Sequence, residues 1–188
     1  MLRDLPNIIT LFRVLSAPIV AVLLWQAPSF ALTLATLILF IIAAASDWLD
    51  GWLARQMKSV SPFGRMLDPI ADKLLVAGTI LALAATRTDG SLFLVPALLI
   101  LMREFLIAGL REFLAGTNLV VPVSLMAKWK TAIQLVAIGI LSAAPLFGPE
   151  MPLDQIGLSL FWISALMTVK TGYDYFKAAR PHLNNSES

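Results

Sequence analysis

Six apolar runs of about twenty residues each leave this chain few ways to fold. An α-helix rises about 1.5 Å per residue, so about 20 apolar residues cross a hydrocarbon core of about 30 Å. The runs fall at residues 6–25, 29–55, 62–86, 91–115, 124–144 and 153–177. They predict an all-α integral membrane protein with six transmembrane helices, forming one domain over residues 1–180 and followed by a polar tail at 181–188. The breaks QAPS, KSVSP, RTDGS, AGTNLVVP and APLFGPEMP carry the residues of loops. Ser61 followed by Pro62 reads as a helix cap with proline at the first helical position. The first run leads straight into more apolar sequence without a clear small-residue cleavage site. It predicts a retained helix and not a secretory signal.

Composition narrows the chemistry. Hydrophobic residues make up 59% of the chain and charged residues 14%, whereas a soluble domain is nearer half and a quarter. There is no cysteine, which excludes disulfides, thiolate catalysis and cysteine-based zinc sites. The single histidine, His182, lies in the polar ending PHLNNSES and reads as a solvated tail residue. The formal charge of +2 is small, so its distribution matters more than its total. Six crossings put both termini on one side of the membrane. Arg3, Arg55, Lys58, Arg65, Lys128, Lys130, Lys177 and Arg180 then share that side, and Arg87, Asp89, Glu150 and Asp154 take the other. The excess of lysine and arginine makes the first side cytoplasmic.

The stretch DWLDGWLARQMKSVSPFGRMLDPIADK then stands out. It places Asp47, Asp50, Asp68 and Asp72 at the cytoplasmic ends of the second and third runs. Intramembrane acids are costly, and four together would not stay ionised without cations between them. Asp47 and Asp50 are three apart and Asp68 and Asp72 four apart, so each pair shares a helix face. Facing helix ends can bring the two pairs into one pocket. That arrangement fits two divalent ions, and hard oxygen ligands favour magnesium or manganese. Such ions clamp the attacking and leaving oxygens of an in-line displacement at phosphorus. Gly51, Ala54 and Gly64 remove bulk beside the acids, and Arg55 and Arg65 supply phosphate donors. The bland alternative is a solvated ion network of the acids with Arg55, Arg65 and Lys73.

Asp47-x-x-Asp50-Gly51-x-x-Ala54-Arg55, eight residues, Gly64-x-x-x-Asp68-x-x-x-Asp72 resembles the CDP-alcohol phosphatidyltransferase family pattern at every specified position. The resemblance implies a six-helix bundle, generally dimeric, with a cavity open to the cytosol and laterally to lipid. It implies that Asp47, Asp50 and Asp68 hold metal ions with the substrate diphosphate. Asp72 would be the general base and a further ligand. Gly51, Arg55 and Ser61 fall where the family contacts the CDP moiety, and Ala54 and Gly64 of the pattern are grouped with them as CDP-lipid-binding residues. The implied location is the bacterial inner membrane, with the site facing the cytoplasm and no nucleic-acid partner.

The acceptor alcohol is sought among other intramembrane polar groups. REFLIAGLREFLA carries Arg103, Glu104 and Arg111, with Glu104 and Arg111 on one stripe and Arg103 well round from it. Lys130 and Gln134 share a face in AKWKTAIQ, and Lys128 points nearly opposite unless its long side chain bends back. Arg103, Arg111, Lys128 and Lys130 exceed the needs of one diphosphate and suggest an acceptor with its own phosphate. The two lysines also fit plain anchoring to headgroups. PNIITLFRV, REFLIAGLREFLA and AKWKTAIQ resemble the family branch that moves a phosphatidyl group from CDP-diacylglycerol to sn-glycerol 3-phosphate and releases CMP. Asn7, Thr10 and Arg13 in the first helix read either as a wall of the nucleotide pocket or as capping and anchoring residues. Lys170 suggests an ion pair with a neighbouring helix. Tryptophans near the run ends fit interface anchoring. Competing functions are a sister transferase acting on inositol phosphate, serine or phosphatidylglycerol, a divalent-cation transporter, and a CDP-lipid binder without turnover. A transporter site belongs near the midplane, and these acids lie near one face.

Overall fold

Backbone amides in an apolar run have no water to bond, and a helix satisfies them locally. In this computed structural model the outcome is six α-helices: α1 (Leu5–Gln26), α2 (Phe30–Met57), α3 (Pro62–Thr86), α4 (Ser91–Ala115), α5 (Leu125–Ala143) and α6 (Leu153–Leu183). A 3-10 turn at Ala144–Leu146 follows α5. The structure describes residues 5–26, 29–57, 62–115, 125–148 and 150–183, with side chains for all of these except 5–6, 47–57, 62–63, 65, 115 and 181–183. No strand occurs among the described residues. The helices match the six runs, with one clear difference at the end. α6 continues to Leu183 instead of stopping at 177. The apolar run ends there, but Lys177, Ala178, Ala179 and Arg180 are good helix formers and carry the helix onward.

The surface is inverted relative to a water-soluble protein. On α1 the exposed stripe is Ile8, Leu11, Phe12, Leu15, Ile19 and Val22, and the buried stripe holds Thr10 and Arg13 before Ala17, Val20 and Leu24. Apolar groups outside and polar groups inside suit a lipid solvent. Four helical stretches are long and apolar enough to cross a bilayer: Asn7–Gln26, Met66–Thr86, Ser91–Leu114 and Leu125–Leu146. α2 carries a shorter apolar part, Phe30–Ser46, cut off by its acids. α6 is not among the four; its C-terminal part carries Lys170, Asp174, Lys177 and Arg180.

The chain divides into two compact units. The first comprises Met1–Thr88 and Ile138–Gly157. In it α1 packs along α3 and α2, and α2 meets both α3 and the 3-10 turn. Small residues set the α1–α3 approach: a Cβ built on Gly78 would lie 3.5 Å from Ala21 Cβ and 3.6 Å from the Ala17 carbonyl oxygen. The core adds Phe40, Ala71, Leu75, Ile80, Ile138 and Leu141. At the end of α3, Arg87 holds Asp154 with two parallel bonds of 2.7 and 2.9 Å. These two residues were expected on the same outer side. Gly90, at a φ of +53°, adopts the left-handed conformation that starts α4.

The second unit comprises Asp89–Ala137 and Leu158–Ser188. Phe93 of α4 stacks on Phe161 of α6 at 5.1 Å, and the Trp162 indole N–H donates to the Leu92 carbonyl at 2.9 Å. Ile100, Leu114, Ala137 and Ala165 complete this core.

Candidate active site

α3 carries Asp68 and Asp72 one turn apart, with Ala71 wholly buried between them. Asp68 is half-buried and Asp72 exposed. Pro69 follows Asp68 inside the helix and offers no N–H to the carbonyl of residue 65. The turn bearing the acid is therefore bonded less firmly by its own backbone. A neighbouring helix contributes instead: the Thr10 hydroxyl donates to Asp68 Oδ1 at 2.8 Å.

Asp47 and Asp50 lie on α2, the helix that packs beside α1 and α3. Their side chains, and those of Gly51, Ala54, Arg55 and Arg65, fall outside the described residues, as does Ser61 altogether. Among the described residues no three acids gather, because half of the expected set is not included. Gly64 is buried one turn before Asp68.

Thr10 and Arg13 are each 1% exposed and sit well inside α1. Asn7 is half-buried.

The second unit holds a separate charged layer. Glu104 accepts hydrogen bonds from Arg103 Nη1 at 3.1 Å and from the Lys130 ammonium. Arg103 Nη2 also donates to Thr171 Oγ1 at 3.2 Å. A Cβ on Gly172 would lie 2.9 Å from Arg103 Cγ, so glycine there admits the arginine stem. Lys130 is 4% exposed and Gln134, one turn on, 3%. Two cations share this one carboxylate. A groove of about 1010 Å³ lined by Leu99, Met102, Leu106, Phe113 and Phe176 runs beside Arg103.

Of the four expected acceptor cations, the structure joins Arg103 and Lys130 through Glu104. It does not join the other two: Lys128 is exposed, and exposed Arg111 lies over the Tyr175 ring at 5.8 Å. Lys170 is exposed. Sequence reasoning missed Glu104 and Thr171 as members of the layer. An acid beside an arginine within an apolar run was the available signal for Glu104. Nothing in the spacing of α6 marked Thr171.

A family model described as CDP-alcohol phosphatidyltransferase matches residues 3–170. Curated proteins named CDP-diacylglycerol–glycerol-3-phosphate 3-phosphatidyltransferase are similar along nearly their whole length. The Rickettsia typhi protein is 43% identical, covering 96% of this chain and 99% of the relative. The Pseudomonas fluorescens protein is 39% identical over 96% and 92%, respectively. The Cereibacter sphaeroides protein is 37% identical over 98% and 99%.

Proposed function

The chain belongs to the CDP-alcohol phosphatidyltransferase family, and on that premise we propose that it transfers the phosphatidyl group of CDP-diacylglycerol to sn-glycerol 3-phosphate. The products are phosphatidylglycerol phosphate and CMP. The observation that carries the reading is end-to-end similarity to relatives bearing that name, in a chain that keeps every acid of the family pattern.

The reading requires two divalent ions, magnesium or manganese, held by Asp47, Asp50, Asp68 and Asp72. The residues fit: all donors are hard carboxylate oxygens, and Asp68 is already steadied by a hydroxyl. When bound, such ions neutralise the diphosphate and the departing phosphate. The rest falls to the chain itself. Asn7, Arg13, Gly51, Ala54, Arg55, Ser61 and Gly64 line the CDP-lipid. Arg103 and Lys130 grip the acceptor phosphate, and exposed Arg111 and Lys128 draw it in. An acceptor hydroxyl oxygen bonds to the lipid-side phosphorus as the bond from that phosphorus to the CMP oxygen breaks. Asp72, exposed at its helix face, takes the hydroxyl proton.

In this reading α2 and α6 cross the bilayer as well, giving six spans. The enzyme sits in the bacterial inner membrane as a homodimer, with both termini and the site facing the cytoplasm. The test supplies purified protein with CDP-diacylglycerol and one alcohol at a time, and measures CMP release. Glycerol 3-phosphate supports metal-dependent turnover. Turnover with inositol phosphate alone would overturn the acceptor assignment.

A further inference from the structure

Buried hydroxyls in this protein mostly return to their own helix. Thr36 donates to the Leu32 carbonyl at 2.7 Å, Thr79 to Leu75 at 2.7 Å, Ser142 to Ile138 at 2.8 Å and Ser164 to Phe161 at 2.7 Å. This back-bonding is the ordinary way to satisfy a hydroxyl in an apolar helix. Thr10 reaches across to a different helix and to a carboxylate, Asp68 Oδ1, 58 residues away.

Three features make that bond a fixed one. Thr10 is 1% exposed and lies on the buried stripe of α1 that continues through Arg13 and Ala17. α1 packs along α3 directly, with Ala17 and Ala21 facing Gly78, and not through a loop. Pro69 removes a backbone bond directly after Asp68, so the cross-helix bond replaces rigidity that α3 lacks at that turn. Asp68 receives no other hydrogen bond among the described residues. A single donor on one oxygen sets the plane of the carboxylate and leaves the second oxygen to a cation.

We propose that Thr10 is a positioning residue that orients Asp68 for a divalent ion. Its hydroxyl then serves the acid and not the nucleotide. The inference rests on the reading of Asp68 as a metal ligand.

The experiment measures Mn²⁺ binding to purified protein by the loss of the free-ion EPR signal, with no substrate present. Thr10→Val keeps the shape and removes the donor, and Thr10→Ser keeps the donor. Thr10→Val weakens Mn²⁺ binding by about 10-fold or more, the scale expected for an outer partner of a metal ligand. Thr10→Ser stays near wild type, and at saturating Mn²⁺ the KM for CDP-diacylglycerol is unchanged in both. Wild-type Mn²⁺ affinity in Thr10→Val overturns the proposal. Equal impairment in both variants also overturns it, by pointing to packing. Asp68→Asn separates the two levels. If it binds Mn²⁺ normally, the metal role of Asp68 fails and the proposal falls with it. If it loses the ion while Thr10→Val does not, only the positioning role fails.

Discussion

The two units treat their intramembrane charges in opposite ways. In the first, the described acid Asp68 is steadied by a neutral hydroxyl. In the second, Arg103 and Lys130 are bridged by the carboxylate of Glu104. A hydroxyl orients a carboxylate without cancelling its charge. A shared carboxylate offsets charge as well as orienting the two cations. Under the proposed function the first arrangement suits a metal ligand and the second a group that receives the acceptor phosphate.

The largest effect belongs to the acids. Asp72→Asn removes the proton acceptor while keeping the side-chain volume, and lowers kcat by about 100- to 10,000-fold. CMP release by a variant with an unchanged melting profile checks this. Near-wild-type turnover would remove Asp72 as the base.

Glu104 tests the other half. Glu104→Gln removes the carboxylate charge that the buried Lys130 ammonium and Arg103 share and lowers stability by up to about 3 kcal/mol. Added glycerol 3-phosphate restores part of that loss, because an anion bound only to the folded state stabilises it. Thermal melts with and without the acceptor give the measurement. No response to the acceptor would remove the layer from the binding site.

Two glycines sharpen the comparison at smaller scale. A Cβ at Gly172 would collide with the Arg103 stem, whereas one at Gly78 meets ordinary contacts. Gly172→Ala costs about 1 kcal/mol or more, while Gly78→Ala is neutral or slightly stabilising through helix propensity. Melting temperatures of the two variants decide it. The smallest effect concerns the outer pair of Arg87 and Asp154. Asp154 is 54% exposed, so water screens the bridge despite its two bonds. A double-mutant cycle yields a coupling of about 0.5 kcal/mol.

Much of this was legible in the sequence because hydropathy reports on the solvent directly. All six helices follow from run length alone, and α6 overran its run because helix formation does not stop where lipid does. One hundred degrees per residue separates Lys128 from Lys130, and the first is exposed while the second is buried. Periodicity assigns a residue to a face but not to the helix that meets that face. Thr10 and Asp68 lie 58 residues apart, and Glu104 and Lys130 lie 26 apart. Their pairing depends on how helices assemble, which no local pattern encodes. Arg111 and Lys128 were grouped with Arg103 by charge, and only the assembled unit separates them.

The division of labour between the two charged layers is tested most directly by two KM values measured on Lys130→Met. A tenfold or larger rise in KM for glycerol 3-phosphate, with KM for CDP-diacylglycerol unchanged, is the expected result. A rise confined to CDP-diacylglycerol would place this lysine with the liponucleotide and contradict the account.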